Sequence, residues 1–302
     1  MKVAVIGIGS NSVRSLVSQV TDGRQQRLFR DREGTRLFAG LDAAGNLSQE
    51  SMRKTIASVA RMAADARVMG AEQLHVFATS AARDAANGAV FMRAVEQAAG
   101  TPLAILSGEQ EAELSFFGAS AVAPEGIRCG VVDIGGGSTE IVTGADDGPD
   151  CAFSCQMGAV RLFRQLPLEC RQDMVPVEAA AKAILEENLR KLPGFDPPAF
   201  WAGTGGTFTT LAALAKGIPW QRRQEMHGAR VSRADIRSIG EMLADLPLEK
   251  RKQLPGLQPG RADIVVHGIC ILLAVMERLR ISEITVSEYG NLDGFIRKTY
   301  HC

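Results

Sequence analysis

The sequence predicts an α/β protein of two related domains, each a mixed sheet flanked by helices. One observation is a duplication: residues 5–17 read V-I-G-I-G-S-N-S-V-R-S-L-V and residues 131–142 read V-V-D-I-G-G-G-S-T-E-I-V. Each copy runs from an apolar β-branched strand through a tight Gly/Ser turn into a second apolar strand. That second strand ends at a turn signal, Asp22-Gly23 in one copy and Asp147-Gly148 in the other. A second observation is the alternation of strand and helix signals that follows. A third is length, since 302 residues suffice for two separate cores.

After the opening hairpin, Leu28-Phe29 and the Leu37-Phe38 region read as further sheet edges around a polar turn at Asp31 to Gly34. Ser48 caps a long helix to about Met69, with Met52, Ile56, Val59, Met62 and Ala66 at helical spacing and Gly70 as the stop. Leu74 to Ala78 is a short strand, Gly88 to Ala99 a helix, and Leu103 to Leu106 a strand. Ser107-Gly108-Glu109-Gln110 has the form of a capping box, opening a helix that ends near Ala121. Pro124 to Arg128 reads as the boundary, dividing the chain into 1–124 and 125–302, with the C-terminal helix a candidate addition to the first domain. Beyond the second hairpin, a helix is predicted over about Val177 to Lys191 and a strand at Phe200-Trp201-Ala202. Further helices follow at about 207–215, 231–245 and 262–279, then a strand from Glu283 to Val286 and a last helix.

Acidic and basic residues balance at 34 each, so no global field draws in nucleic acid. The six cysteines form no paired C-x-x-C set, which fits reduced, mostly buried thiols. The first residues enter a strand directly and no apolar run approaches the length of a membrane span, so the expected setting is cytoplasmic, with no membrane partner.

Glycine lets a backbone approach an anion closely, and consecutive amides in such turns can cup phosphate oxygens. The recurrence of the hairpin, with Asp133 and Glu140 flanking Gly135, Gly136, Gly137 and Ser138, therefore points to phosphate binding, and the two carboxylates to Mg²⁺. Laid on the first copy, Asp133 falls on Gly7. Gly203, Thr204 and Gly205 sit between a strand and a helix, which suits an anion, although an ordinary tight turn accounts for them equally. Glu109, Glu111 and Glu113 lie early in a helix, where acidic residues are electrostatically favoured, so a catalytic role for one of them competes with a structural one. Arg14, Arg83, Arg161 and Arg261 end elements near small-residue turns, where a guanidinium could clamp phosphate or stand solvated. His75 and His267 read as core or supporting residues, while His227 and His301 fall in loop-like or terminal positions with no evident partner.

Taken together, these motifs resemble the exopolyphosphatase and guanosine pentaphosphate phosphohydrolase family, of the actin, sugar kinase and Hsp70 ATPase superfold with its two ribonuclease-H-like domains and interdomain cleft. Gly9-Ser10-Asn11-Ser12 with Arg14 looks like its first phosphate motif. Thr79 to Gly88 looks like its T-x-A-x-R-x-A-x-N-G segment, Ser107 to Ala112 like S-G-x-E-E-A, and Asp133 to Glu140 matches D-I-G-G-G-S-T-E throughout. Gly158 to Leu162, the turn at 203–207, Leu254 to Leu257 and Arg261-Ala262-Asp263 continue the series.

The resemblance implies hydrolysis of a terminal phosphoanhydride in inorganic polyphosphate, or of the γ-phosphate of guanosine pentaphosphate. By residue it implies Glu111 as general base, Asp133 and Glu140 on Mg²⁺, and Ser10, Asn11, Ser12, Arg14, Arg83, Gly135 to Ser138, Gly203, Thr204, Gly205 and Arg261 on substrate phosphates. A homodimer is implied by the resemblance alone. Three positions depart from the family pattern: Gly7 stands for an Asp, Gln110 for the first Glu of E-E-A, and Leu292 for an Arg in the stretch Ser287 to Gly294. These departures favour a competing reading, a weakly or non-catalytic binder of polyphosphate or guanosine alarmones. Intact Glu111, Asp133 and Glu140 favour the enzyme. A small-molecule kinase of the same superfold is a third reading, opposed by the family-specific segments.

Overall fold

The computed structural model describes residues 1–302 and resolves into two compact units, Met1–Gly118 with Asn291–Cys302, and Ala119–Gly290. The chain thus passes into the second unit at Gly118, ahead of the Pro124 to Arg128 stretch, and its last helix belongs to the first unit.

In the first unit, β1 (Lys2–Ile8), β2 (Val13–Thr21) and β3 (Arg24–Glu33) form an antiparallel meander. Helix α1 (Gln49–Val68) is followed by β4 (Gln73–Ala78), short α2 (Ser80–Arg83), α3 (Gly88–Ala99), β5 (Leu103–Ile105) and α4 (Gly108–Ala119). The sheet order is β3-β2-β1-β4-β5, with β4 and β5 parallel to β1. Alternation along β1 divides its side chains between two cores. Ala4 packs with Val17 and Ala66 of α1. Val3 and Val5 pack with Leu16, Phe77 and, from the C-terminal helix, Leu292 and Ile296. Ser48 accepts from Ser51 N at 3.2 Å to start α1, Gly70 ends it at φ +80°, and the Ser107/Gln110 capping box is present in both directions at 3.1 and 2.8 Å. Asp22 and Gly23, both at positive φ, make the two-residue hairpin turn.

The second unit opens with β6 (Cys129–Ile134), β7 (Thr139–Ala145) and β8 (Gly148–Cys155), again an antiparallel meander. It continues through α5 (Ala159–Gln165), α6 (Met174–Arg190), β9 (Phe200–Thr204), α7 (Gly206–Lys216), β10 (Arg230–Ser232), α8 (Arg233–Asp245), α9 (Leu248–Arg251), α10 (Val265–Arg278) and β11 (Glu283–Val286). The sheet order β10-β11-β9-β6-β7-β8, read from β8, repeats the succession of the first sheet and adds one antiparallel strand. Both units therefore have the ribonuclease-H-like arrangement of the superfold. Helix α10 is buried on every side from Val265 to Met276, as a helix apolar all round should be. The last helix, α11 (Asn291–Tyr300), returns to the first unit.

Two expectations are corrected. Asp31 to Glu33 are not a turn but the end of β3, where Asp31 pairs across to Ser15. Leu37-Phe38 is not a sheet edge: Phe38 starts a 3₁₀ turn, because its N–H donates to Ser10 O at 2.8 Å and draws the segment onto the first glycine turn. No helix is long and apolar enough to cross a membrane.

Candidate active site

The two Gly/Ser turns are built alike. Gly9 N donates to Ser12 O at 3.0 Å, and Gly135 N donates to Ser138 O at 3.0 Å. In both, two further turn carbonyls are taken by a segment that crosses behind. In the first turn, Ser10 O accepts from Phe38 N and Asn11 O from Arg36 N at 3.1 Å. In the second, Gly135 O accepts from Ala159 N, and Gly136 O from Val160 N and Arg161 N, at 2.9 to 3.0 Å. The amides of Ser10, Asn11 and Ser12, and of Gly136, Gly137 and Ser138, donate to no backbone carbonyl. A turn with its carbonyls engaged and its amides available is an anion receptor. Gly158 permits the crossing, since a Cβ there would lie 2.3 Å from the Gly136 carbonyl carbon. Arg161 braces the same turn, donating Nε to Gly137 O at 2.7 Å.

Strand register places the charged side chains and sets the copies apart. Asp133 pairs with Glu140, Glu140 with Ser154 and Asp133 with Thr204, so four oxygen-bearing side chains share one face across β8, β7, β6 and β9. The matching row in the first unit is Arg32, Arg14, Gly7 and Phe77. Arginine stands where the second copy has Glu140, and glycine where it has Asp133. One row is anionic, the other cationic.

Asp133 is 7% exposed and Glu140 1%. Glu140 Oε1 accepts from Ser154 Oγ at 2.8 Å. Two buried carboxylates directly opposite each other repel, and a hard cation between them relieves that cost. No cluster of three or more His, Cys, Asp or Glu forms a cage. The donor set therefore fits Mg²⁺ of the kind held by one or two carboxylates, with waters and phosphate oxygens completing the shell.

The third glycine turn lies beside this row because β9 runs parallel to β6. Gly205, at φ +97°, leaves room where a Cβ would meet Asp133 Oδ1 at 3.0 Å, and opens the N-terminus of α7. The Arg261 guanidinium lies over Gly206, 1.8 Å from where a Cβ would be. Thr204 Oγ1 donates to Tyr289 O at 2.8 Å, and is thereby tied to the loop before α11. His227, assigned no partner by the sequence, accepts the Glu288 N–H on Nδ1 at 3.3 Å and packs edge-on against Tyr289, bracing that loop.

In the first unit, Ser10 Oγ and Ser80 Oγ are 2.9 Å apart and buried, joining the first turn to α2. Arg83 Nη1 donates to Leu106 O at 2.8 Å, just before the Ser107 cap of α4. Of the three acidic residues on that helix, Glu109 is exposed and Glu113 is ion-paired with Lys298. Glu111 alone is buried, which sets it apart as the candidate base. Within the second unit the structure gathers Asp133, Glu140, Gly135 to Ser138, Gly203 to Gly205 and Arg261. Within the first it ties Ser10, Asn11 and Ser12 to Arg14 along β2 and to Arg83 through Ser80. Sequence reading missed Arg32, Ser80, Ser154 and Asn291 as members of these groups. The duplication itself could have indicated Arg32 and Ser154, since each occupies the third strand of its meander opposite Arg14 or Glu140.

A sequence profile of the Ppx/GppA phosphatase family matches residues 16–301. The chain is 33% identical over 310 aligned residues to Exopolyphosphatase 2 of Mycobacterium tuberculosis, covering 97% of each chain. Its fold superposes on that of the Aquifex aeolicus PPX-GPPA enzyme with a TM-score of 0.82 at 27% identity, over 99% of each chain. It also superposes on an exopolyphosphatase-like protein with a TM-score of 0.90 at 26% identity, covering 100% of this chain and 99% of the other.

Proposed function

The chain belongs to the Ppx/GppA phosphatase family, and on that premise we propose that it releases terminal phosphate from inorganic polyphosphate by attack of water, with Mg²⁺ as cofactor. The observation that carries this reading is the pair of glycine turns with engaged carbonyls and available amides, one beside an arginine row and the other beside a carboxylate row. Phosphoryl transfer needs an aligned nucleophile and neutralised oxygens rather than covalent help from the protein. Glu111 accepts the proton of the attacking water. In the first unit the amides of Ser10 to Ser12, with Arg14 and Arg83, are the phosphate-holding groups; in the second unit they are the amides of Gly136 to Ser138, with Arg261. Asp133 and Glu140 would hold the cation, which would supply charge neutralisation to the phosphoryl oxygens.

Phosphate release from long-chain polyphosphate, with and without Mg²⁺, tests this directly. Wild-type protein should release phosphate only with the metal. Glu111→Gln should lower the rate by roughly two orders of magnitude or more while leaving affinity nearly unchanged. A variant with wild-type turnover would reduce Glu111 to a residue that merely favours a helix start.

One observation favours a second reading, a binder of polyphosphate or guanosine alarmones without turnover. The place of a carboxylate at residue 7 is filled by Leu292 and Phe77, whose atoms lie 2.9 and 3.2 Å from a Cβ there. Binding with no release under any metal would establish that reading. Guanosine pentaphosphate competes as a substrate, and the same assay run on it separates the two.

A further inference from the structure

We propose that the first hairpin is a metal-free anion pole, in which Arg14, Arg32 and the side-chain amide of Asn291 together hold one phosphoryl group. This rests on the phosphoanhydride reading above and adds two residues to its substrate site.

Arg14 and Arg32 are cross-strand partners, so their guanidinium stems leave the same face of the sheet side by side. Side by side, the two cations make an electropositive patch, and guanidinium forks match phosphate oxygens in geometry as well as charge. Both arginines are tied to the turn that offers its amides. Arg32 Nε donates to Ser12 Oγ at 3.1 Å, and Arg14 follows Ser12 along β2.

Asn291 supplies the observation that points to a ligand. It is 1% exposed, and its Oδ1 accepts from Arg14 Nη2 at 3.2 Å. That bond fixes the amide orientation, because the flipped amide would set donor against donor. Its Nδ2 is then a buried donor with no partner in the protein. A buried N–H left unmatched beside two guanidiniums is complementary to a phosphoryl oxygen.

The same surroundings favour an anion over a cation. The register position that carries Asp133 in the second unit is Gly7 here, and Leu292 and Phe77 occupy the space in front of it. The nearest carboxylate along α11, Asp293, is ion-paired with Arg27 at 2.6 Å. Asp31 alternates to the opposite face of β3 and pairs with Arg61 at 2.7 Å. The arginine row thus lacks the carboxylate that Asp133 gives the second unit, and its charge suits an anion.

The test is binding of inorganic tripolyphosphate in excess EDTA, measured by calorimetry on wild type, Asn291→Asp and Arg32→Gln, with thermal unfolding of each. Asn291→Asp keeps the size of the side chain and the acceptor for Arg14, but replaces the donor by a negative charge. Wild type should bind without metal, and each variant should weaken binding by about tenfold or more. Should Asn291→Asp fail to fold, Arg32→Gln alone decides. Loss of wild-type binding in EDTA, or wild-type affinity in a folded variant, overturns the proposal. Phosphate release measured in parallel separates the two readings. Release that persists while the variants bind normally sinks the arginine pole and leaves the hydrolase standing. Binding lost in the variants of a protein that never releases phosphate does the reverse.

Discussion

Replacing Gly206 by Ala should disable Arg261 without touching it. The added methyl would lie 1.8 Å from Nη1 and 1.9 Å from Cζ of Arg261. Ordinary contact begins at 3.4 Å, so the guanidinium must retreat by roughly 1.6 Å. The obstacle is the far end of a flexible side chain, so the fold yields cheaply. Ala also has up to about 1 kcal/mol better helix propensity than Gly, here in the first turn of α7. Net stability should therefore stay within about 1 kcal/mol of wild type. Substrate binding should not. A charge-assisted hydrogen bond to an anion contributes about 1.5–3 kcal/mol, which corresponds to about one to two orders of magnitude in affinity. The assay is polyphosphate turnover over a substrate range, with Arg261→Ala as the reference and Gly260→Ala as the control, since a Cβ at Gly260 meets nothing within 4 Å. Gly206→Ala and Arg261→Ala should coincide, and Gly260→Ala should behave as wild type. Full affinity in Gly206→Ala, or a loss matched by several kcal/mol of lost stability, would refute the reasoning.

Other predictions concern the scaffold. At Gly294, α11 lies so close to α4 that a Cβ would sit 1.7 Å from Leu114 O, a backbone atom that cannot step aside. Gly294→Ala should therefore cost about 2–3 kcal/mol, seen as a lower urea midpoint, and unchanged stability would mean that the two helices are free to separate. His267 is held neutral by burial, below its ordinary value of 6.5. Its ring nitrogen Nε2 donates to Leu166 O at 2.9 Å, while Nδ1 has no partner for a second proton. The unfolded chain takes up more protons between 6.5 and that lowered value, so this contribution to stability is complete above 6.5 and is lost as pH falls through the window. His267→Gln, which can still donate to Leu166, should flatten part of the fall, leaving the share of His75, also lowered by burial. An identical pH slope in the variant would remove His267 as its source.

The parts of this molecule legible in its sequence are those fixed by local chemistry. The glycine turns, the Ser48 cap and the Ser107 capping box each depend on residues within a few positions of one another. The Asp133-on-Gly7 offset was legible because a duplicated hairpin preserves register, and strand pairing carries it into space. What escaped depends on distant partners. Leu37-Phe38 has the apolar pattern of a strand, yet a bond to Ser10 O decides its conformation. Asn291 reads as an ordinary helix-start residue until Arg14, 277 positions earlier, is found against it. Glu111 looks like its acidic neighbours on α4 by residue type alone; the S-G-x-E-E-A resemblance singles it out in the sequence, and burial does so in space.

The return of α11 to the first unit has a consequence for synthesis. The second unit is one continuous stretch, with every strand of its sheet made before Gly290, so it can complete its core on the ribosome. The first unit, although begun earlier, waits for Leu292 and Ile296 to cover Val3, Val5 and Phe77. Until then its sheet shows an apolar face, and Arg27 lacks Asp293. The order of emergence is therefore reversed in the order of completion: the N-terminal half is made first and finished last, and the residues that finish it include the amide that orients Arg14.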